Sequence, residues 1–143
     1  MFLYESGLTL SYVLRIAKKY YSTMGYDHSI RVMQFVAENT MIPSNLQSSC
    51  LALAVAHDLW EDTDCPLDTF GNKRLSKALL LLTRTKDQPY IEYIKNIREN
   101  RSEDFGLCAW WVKMADMKDH LSQTETLTPK LKDKYLSAIP YLI

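Results

Sequence analysis

Glycine and proline are scarce in this sequence, with four glycines and five prolines among 143 residues. These few residues separate a series of segments whose apolar side chains recur at helical spacing. No segment alternates polar and apolar residues for long enough to predict a β-strand, and no internal repeat or low-complexity linker is present. The sequence therefore predicts one compact all-α domain over residues 1–143, with six to eight helices.

Cysteine is also rare. The three cysteines, Cys50, Cys65 and Cys108, are widely spaced and form no C-x-x-C pair. This arrangement argues against a zinc ribbon and against a disulfide framework. Cys50 and Cys108 stand in apolar runs, which predicts that they are small core residues. Reduced thiols are typical of a cytoplasmic protein.

The sequence has no excess charge of either sign and no long hydrophobic run. Seventeen basic residues balance seventeen acidic ones, so no global field attracts the chain to nucleic acid or to anionic lipid. The apolar stretches near residues 51–56 and 78–82 are too short to cross a bilayer. The N-terminal segment has the pattern of an amphipathic helix rather than of a signal peptide. We therefore expect a cytoplasmic protein that acts on a small molecule, with no nucleic-acid duplex or membrane as partner; a homo-oligomer is compatible with the sequence.

Apolar spacing and capping residues predict the individual helices. Met24 and Gly25 are expected to end the first helix, and Asp27 to cap the second. The third contains an unbroken apolar segment and should therefore lie at the centre of the domain. The predicted helices cover Leu8–Tyr21, Asp27–Asn39, Ser44–Asp62, Lys73–Leu82, Pro89–Asn100, Gly106–Gln123 and Thr128–Leu142, and a short turn or helix runs from Pro66 to Gly71.

The sequence HDLWED at residues 57–62 places four ionisable groups at the end of the most apolar helix. On a helix, His57 and Glu61 would lie one above the other with Asp58 and Asp62 beside them, all within an arc of about 140°. Burying several carboxylates together costs several kcal/mol per charge unless a cation or hydrogen bonds compensate. A metal site explains the cluster. The alternative is a solvated helix end, which the helix dipole disfavours modestly because acidic residues stand at its C-terminus.

Two other segments carry similar residues. His28 is predicted in the first turn of the second helix, and Asp116 interrupts an apolar helix. Taken singly, His28 is more typical of a satisfied structural histidine, and Asp116 of a carboxylate paired with Lys113 or Lys118. Taken together, the order His, His-Asp, Asp on three separate helices is specific and favours a shared site.

This order resembles the HD-domain metal-dependent phosphohydrolases. The strings AVAHDLWEDTD and VKMADMKDH are similar to the HDxxEDT and V-K-x-A-D motifs of the RelA/SpoT-type (p)ppGpp hydrolases and their small stand-alone relatives. The strings LLLLTRTKDQPYIEYIKNI and LTPKLKDKYLSAIPYL also resemble the small single-domain members. The resemblance covers about residues 10 to 142 and implies an HD-type helical bundle.

The resemblance implies a set of site residues. The metal ligands would be His28, His57, Asp58 and Asp116, and Glu61 and Asp62 would match the acidic pair that the family uses around the catalytic water. The family usually works with one manganese ion, although the ligand types alone would also admit iron, zinc or magnesium.

Substrate contacts are suggested partly by position and partly by the resemblance. Lys113 and Arg31 each lie one helical turn from a proposed ligand and are candidate phosphate contacts, but Lys113 would serve equally well as a structural partner of the acidic cluster. His120 would face the pocket or act as a general acid. Tyr135 stands where the alarmone hydrolases have a tyrosine. The basic run Lys130, Lys132 and Lys134 is more typical of a solvated face.

The sequence also departs from the family pattern. The loop before His28 is the short YYSTMGYD, without the basic residues that help bind the alarmone in the family. Ser29 replaces a proline, and His120 replaces an asparagine. The expected function is a guanosine-3′,5′-bis(diphosphate) 3′-pyrophosphohydrolase or a close analogue. The alternatives are a nucleotidase or phosphodiesterase acting on another nucleotide, and a nucleotide-binding regulator with little turnover.

Overall fold

The computed structural model, which describes residues 7–143, contains helices and no strand within that range. Seven helices have ten or more residues, and α4 is a single turn. A short 3-10 turn, Ser44–Leu46, precedes α3. The helices are α1 (Leu10–Tyr20), α2 (Thr23–Glu38), α3 (Gln47–Ala56), α4 (Leu59–Asp62), α5 (Lys73–Leu82), α6 (Tyr90–Glu99), α7 (Asp104–Ser122) and α8 (Pro129–Leu142). The prediction of an all-α bundle is confirmed.

Side-chain caps begin several of these helices. Thr9 accepts a hydrogen bond from the amide of Tyr12, and Asn72 does the same for Leu75. Thr128 caps α8 and Pro129 follows at its first position, as the sequence predicts. These caps satisfy amide groups that have no partner inside the helix.

Helices α3 and α7 form the centre of the bundle. From Ala52 to Ala56 every residue of α3 is buried, and α3 packs against α1, α2, α5 and α7. Helix α7 in turn packs against α2, α5, α6 and α8. Cys50 and Cys108 are fully buried in this core, as predicted. The two central helices therefore carry side chains from distant parts of the sequence to one place.

Two predicted boundaries are wrong. Helix α2 begins at Thr23, because the Ser22 hydroxyl accepts a hydrogen bond from the Gly25 amide at 3.1 Å and caps the helix there. Asp27 consequently lies inside α2 and does not cap it. Met24 and Gly25, which were expected to end the first helix, also lie inside α2, and α1 ends at Tyr20. Helix α3 ends at Ala56, and His57 and Asp58 form a turn before α4. This turn interrupts the predicted helix between Ala56 and Leu59.

The first six residues of the predicted N-terminal segment lie outside the described residues. From residue 7 onward, no helix combines the length and the apolar character needed to cross a membrane.

Candidate metal centre

Four side chains from three regions of the chain meet beside the core. His28 comes from α2, His57 and Asp58 from the turn after α3, and Asp116 from α7. One ligand atom of each lies within 4.8 Å of those of the other three. Helices α2, α3 and α7 pack on one another, and this packing brings the four groups together. The group can hold a metal ion.

The spacing of the donor atoms suits ligands of a single ion. The Nε2 atoms of His28 and His57 lie 2.9 Å and 3.1 Å from Oδ1 of Asp116. Oδ2 of Asp58 lies 3.2 Å from Nε2 of His57 and 3.5 Å from Nε2 of His28. With metal–ligand bonds of about 2.1 Å, neighbouring ligand atoms are about 3.0 Å apart at octahedral angles and about 3.4 Å apart at tetrahedral angles. Two of the four observed distances lie within this range, and the other two lie within 0.1 Å of it.

Both histidines are oriented by a hydrogen bond at the other ring nitrogen. Nδ1 of His57 lies 2.6 Å from the carbonyl oxygen of Ala54, which can only accept, so this nitrogen carries a proton. Nδ1 of His28 lies 2.6 Å from Oδ2 of Asp119, a buried carboxylate. In the neutral rings, Nε2 is then the nitrogen with a free lone pair, and it points into the cluster. Such outer partners commonly orient histidine ligands in metal sites.

The backbone next to Asp58 is fixed by Tyr21. The Tyr21 hydroxyl donates to the carbonyl oxygen of Val55 at 2.8 Å and accepts from the amide of Asp58 at 3.2 Å. Burial raises the pKa of this hydroxyl, and the charge of Asp58 raises it further, so the group stays a neutral donor. Tyr21 therefore holds the turn that carries two of the four ligand residues.

The charges in the cluster need compensation. Burial alone would raise the pKa of Asp116, but Lys113 and the neighbouring histidines outweigh it and hold the pKa well below its usual range. Burial alone would lower the pKa of His57, but Asp58 and Asp116 raise it well above its usual value. The histidine protons thus balance buried carboxylates, and a divalent cation would supply the same positive charge after displacing them. The donor set fits a cation on chemical as well as geometric grounds.

A cavity of about 320 Å³ opens beside the cluster. Carboxylates form one part of its lining, and cationic and aromatic side chains form another. The lining residues are Asp58, Glu61, Asp62, Arg84, Tyr90, Tyr93, Lys113, Asp116, His120, Lys134 and Tyr135.

Glu61 and Asp62, the predicted acidic pair, both line this cavity and keep contact with solvent. One oxygen of Glu61 accepts a hydrogen bond from the amide of Arg84 at 2.9 Å. Desolvation raises the pKa of both carboxyl groups, and the negative charge of Asp58 adds to the effect. A carboxylate with a raised pKa is a better proton acceptor near neutral pH.

The predicted substrate contacts are divided between two environments. Lys113 is buried and donates to Oδ2 of Asp116 at 2.8 Å, the structural partnership that the sequence left open. Arg31 does not line the cavity; its guanidinium donates to both oxygens of Asp119, at 2.8 and 3.1 Å. His120 and Tyr135 do line the cavity, with their rings stacked at 4.9 Å.

Three residues around the site were not predicted from the sequence. Asp119 follows Asp116 by three positions, a helical spacing that could have indicated a shared face. Arg84 stands in the loop between α5 and α6, where no local signal marks it. Lys134 belongs to the run predicted as a solvated face; Lys130 and Lys132 are exposed as predicted, but Lys134 is half-buried and lines the cavity.

Comparison of the chain with protein-family models and with curated proteins finds no match to either. The assignment of the site therefore depends on its geometry and on the motifs.

Proposed function

We propose that this chain is a metal-dependent phosphohydrolase that acts on a nucleotide. The observation that supports this most strongly is the meeting of His28, His57, Asp58 and Asp116 within 4.8 Å at the edge of an open cavity. The resemblance of HDLWEDT and VKMAD to the HD-type motifs supports the same activity.

The four clustered residues would hold one divalent cation, and manganese is the ion that the resemblance favours. When bound, such an ion supplies positive charge that polarises a phosphoryl oxygen and acidifies water. Asp119 and the carbonyl of Ala54 keep the two imidazoles in the tautomer that binds a cation. Lys113 balances part of the charge of Asp116 and keeps that carboxylate ionised.

Glu61 and Asp62 would accept the proton of the attacking water. Both carboxylates line the same cavity as Asp58, and Glu61 keeps one oxygen fixed by the Arg84 amide. A fixed carboxylate costs little reorganisation during proton transfer. Glu61 is the better candidate because this hydrogen bond orients it.

The first candidate substrate is guanosine-3′,5′-bis(diphosphate), with release of the 3′-pyrophosphate. A smaller nucleotide is the second candidate, and two observations favour it. The segment at residues 20–27, which joins α1 to the first turns of α2, has no basic residue. The cavity of about 320 Å³ is close to the lower limit of about 300 Å³ for ligand pockets. A nucleotidase or phosphodiesterase activity would fit such a cavity.

A substrate panel tests the proposal. Purified protein with manganese would be incubated with guanosine tetraphosphate, nucleoside monophosphates, deoxynucleotides and cyclic dinucleotides, and the products identified by anion-exchange chromatography and phosphorus NMR. We expect metal-dependent hydrolysis of at least one class, abolished by His57→Ala. Pyrophosphate release from guanosine tetraphosphate would identify the first candidate. Orthophosphate release from monophosphates would identify a nucleotidase, and conversion of a cyclic dinucleotide to a linear product without orthophosphate would identify a phosphodiesterase. Tight metal binding without turnover of any class would contradict hydrolysis and support a regulator.

A further inference from the structure

The basic residues around the site differ in whether a carboxylate already neutralises them. Lys113 forms an ion pair with Asp116, and Arg31 forms one with Asp119. Within residues 7–143, neither Arg84 nor Lys134 forms an ion pair. Both of these side chains nevertheless line the cavity. The two cations that are free to bind an anion are therefore not the two that the sequence suggested.

Arg84 and Lys134 meet at the ring of Tyr90. The Lys134 ammonium lies 4.4 Å from the ring centroid, and the central carbon of the Arg84 guanidinium lies 5.4 Å from it. The two residues come from different parts of the fold, the loop after α5 and helix α8. Nε of Arg84 donates to the carbonyl oxygen of Gln88 at 2.9 Å, which anchors the guanidinium and leaves its terminal nitrogens for a ligand.

The positive charges of Arg84 and Lys134 repel each other. Desolvation lowers the pKa of Lys134, and repulsion from Arg84 and Lys113 lowers it further; attraction to Glu61 and Asp116 offsets only part of this decrease. The aromatic ring offsets only part of such a cost, because cation–π contacts are weak at partly exposed sites. An anion bound by both side chains would offset the repulsion and accept charge-assisted hydrogen bonds from each.

We propose that Arg84 and Lys134 form an oxyanion subsite that binds a phosphate group of the substrate beside Tyr90. The binding of phosphate follows from the two cations themselves, and its assignment to the substrate rests on the proposed function. The subsite lines the same cavity as Asp58 and Asp116, so one phosphorylated ligand can reach both. Arginine suits this role because its planar fork binds two phosphate oxygens at once.

Titration with inorganic phosphate tests the subsite directly. Binding would be measured calorimetrically at constant ionic strength, in manganese-loaded and in chelator-treated protein. Lys134→Met and Arg84→Gln should each weaken phosphate binding about tenfold, the loss expected for one charge-assisted contact. Lys132→Met is the matched control, since Lys132 is an exposed lysine on the same helix, and it should leave binding unchanged. Arg84→Lys should lose less than Arg84→Gln.

The outcomes separate this subsite from the metal chemistry. Phosphate binding that disappears with the chelator and is unaffected by either substitution would overturn the subsite, because the anion would then sit on the metal. Phosphate binding that His57→Ala leaves intact and Lys134→Met weakens would support the subsite even if no hydrolysis is found. Should Arg84→Gln fail to fold, Lys134→Met decides, because its ammonium forms no ion pair within residues 7–143. With an active substrate, Lys134→Met should raise KM and change kcat little.

Discussion

Asp119 accepts a hydrogen bond from Nδ1 of His28 at 2.6 Å, across the interface of α2 and α7. Burial alone would raise the pKa of Asp119, but hydrogen bonds from Arg31 and His28 outweigh it and lower the pKa. Asp119 is therefore an ionised carboxylate that positions a ligand histidine without belonging to the four-residue cluster.

Asp119→Asn should weaken metal binding about 10- to 100-fold, the usual effect of removing an outer partner of a histidine ligand. The asparagine amide group can donate as well as accept, so it no longer fixes the proton on Nδ1 of His28. It also lacks the negative charge that strengthens His28 as a ligand. Competition with a metal indicator dye would measure the change. Asp133→Asn is the control, because Asp133 is exposed on α8 and the substitution removes the same charge. Equal affinities in the two variants would contradict the positioning role.

Metal binding should stabilise the protein more strongly as the pH rises. Burial alone would lower the pKa values of His28 and His57, but their carboxylate neighbours raise both above 6.5. In metal-free protein, protonation of these histidines stabilises the fold fully below pH 6.5, and this stabilisation is lost as pH rises through the higher folded-state pKa. Metal affinity rises over the same window, because protons compete less for the ligands.

Thermal unfolding with and without manganese measures this relationship. The difference in Tm between loaded and metal-free protein should widen as pH rises through and above the ordinary histidine pKa of 6.5. His57→Ala should remove most of the difference at every pH. A constant difference across this range would show that the histidines do not exchange protons for the ion.

Glu61→Gln should reduce turnover by about 100-fold or more while metal binding stays at the wild-type level, since general-base catalysis contributes about 10²- to 10⁴-fold. The amide can still accept the hydrogen bond from the Arg84 amide, so the local backbone is preserved. Activity on the substrate identified by the panel and metal content by elemental analysis would be measured together. Full activity in this variant would exclude Glu61 as the proton acceptor.

Tyr90 and Tyr93 allow the contribution of one hydroxyl hydrogen bond to stability to be measured. The Tyr90 hydroxyl is buried and has no hydrogen-bond partner within residues 7–143, whereas the Tyr93 hydroxyl donates to the carbonyl oxygen of Leu82 at 2.9 Å. Tyr93→Phe should lower the free energy of unfolding by about 1 kcal/mol, and Tyr90→Phe should leave it unchanged or raise it. Urea unfolding would measure both. Greater destabilisation by Tyr90→Phe would reveal a partner for its hydroxyl.

Gly106 is required by close packing in the first turn of α7. A Cβ atom there would overlap the backbone carbonyl oxygen of Asn100. Gly106→Ala should destabilise the protein by about 1–3 kcal/mol, the usual cost of overpacking a tight contact. Gly25→Ala, inside α2, is the comparison: its nearest side-chain neighbours lie at 3.3 Å, and helix propensity favours alanine by up to about 1 kcal/mol. Similar unfolding midpoints for the two variants would contradict the steric argument.

Local sequence was sufficient for the helical class, the central place of α3 and the cap at Thr128. Apolar spacing and capping chemistry act over a few residues, so they can be evaluated without knowing the fold. The set His28, His57, Asp58 and Asp116 was also predictable, because its residue types and order resemble a motif. The structure brings its members within 4.8 Å of one another. The chemistry proposed for this set stays a prediction.

Only the tertiary structure decided which charges are paired. From the sequence, Arg31 and Lys113 were simply two cations one helical turn from a proposed ligand. In the structure, the packing of α2 on α7 pairs Arg31 with Asp119. No local sequence feature distinguishes Lys134 from Lys130 and Lys132, but in the structure Lys134 is half-buried and lines the cavity while the other two are exposed. Pairing depends on distances between helices that are far apart along the chain, and no local pattern encodes those distances. The turn at His57 was missed for a related reason, since contacts such as Tyr21 with the Asp58 amide hold it.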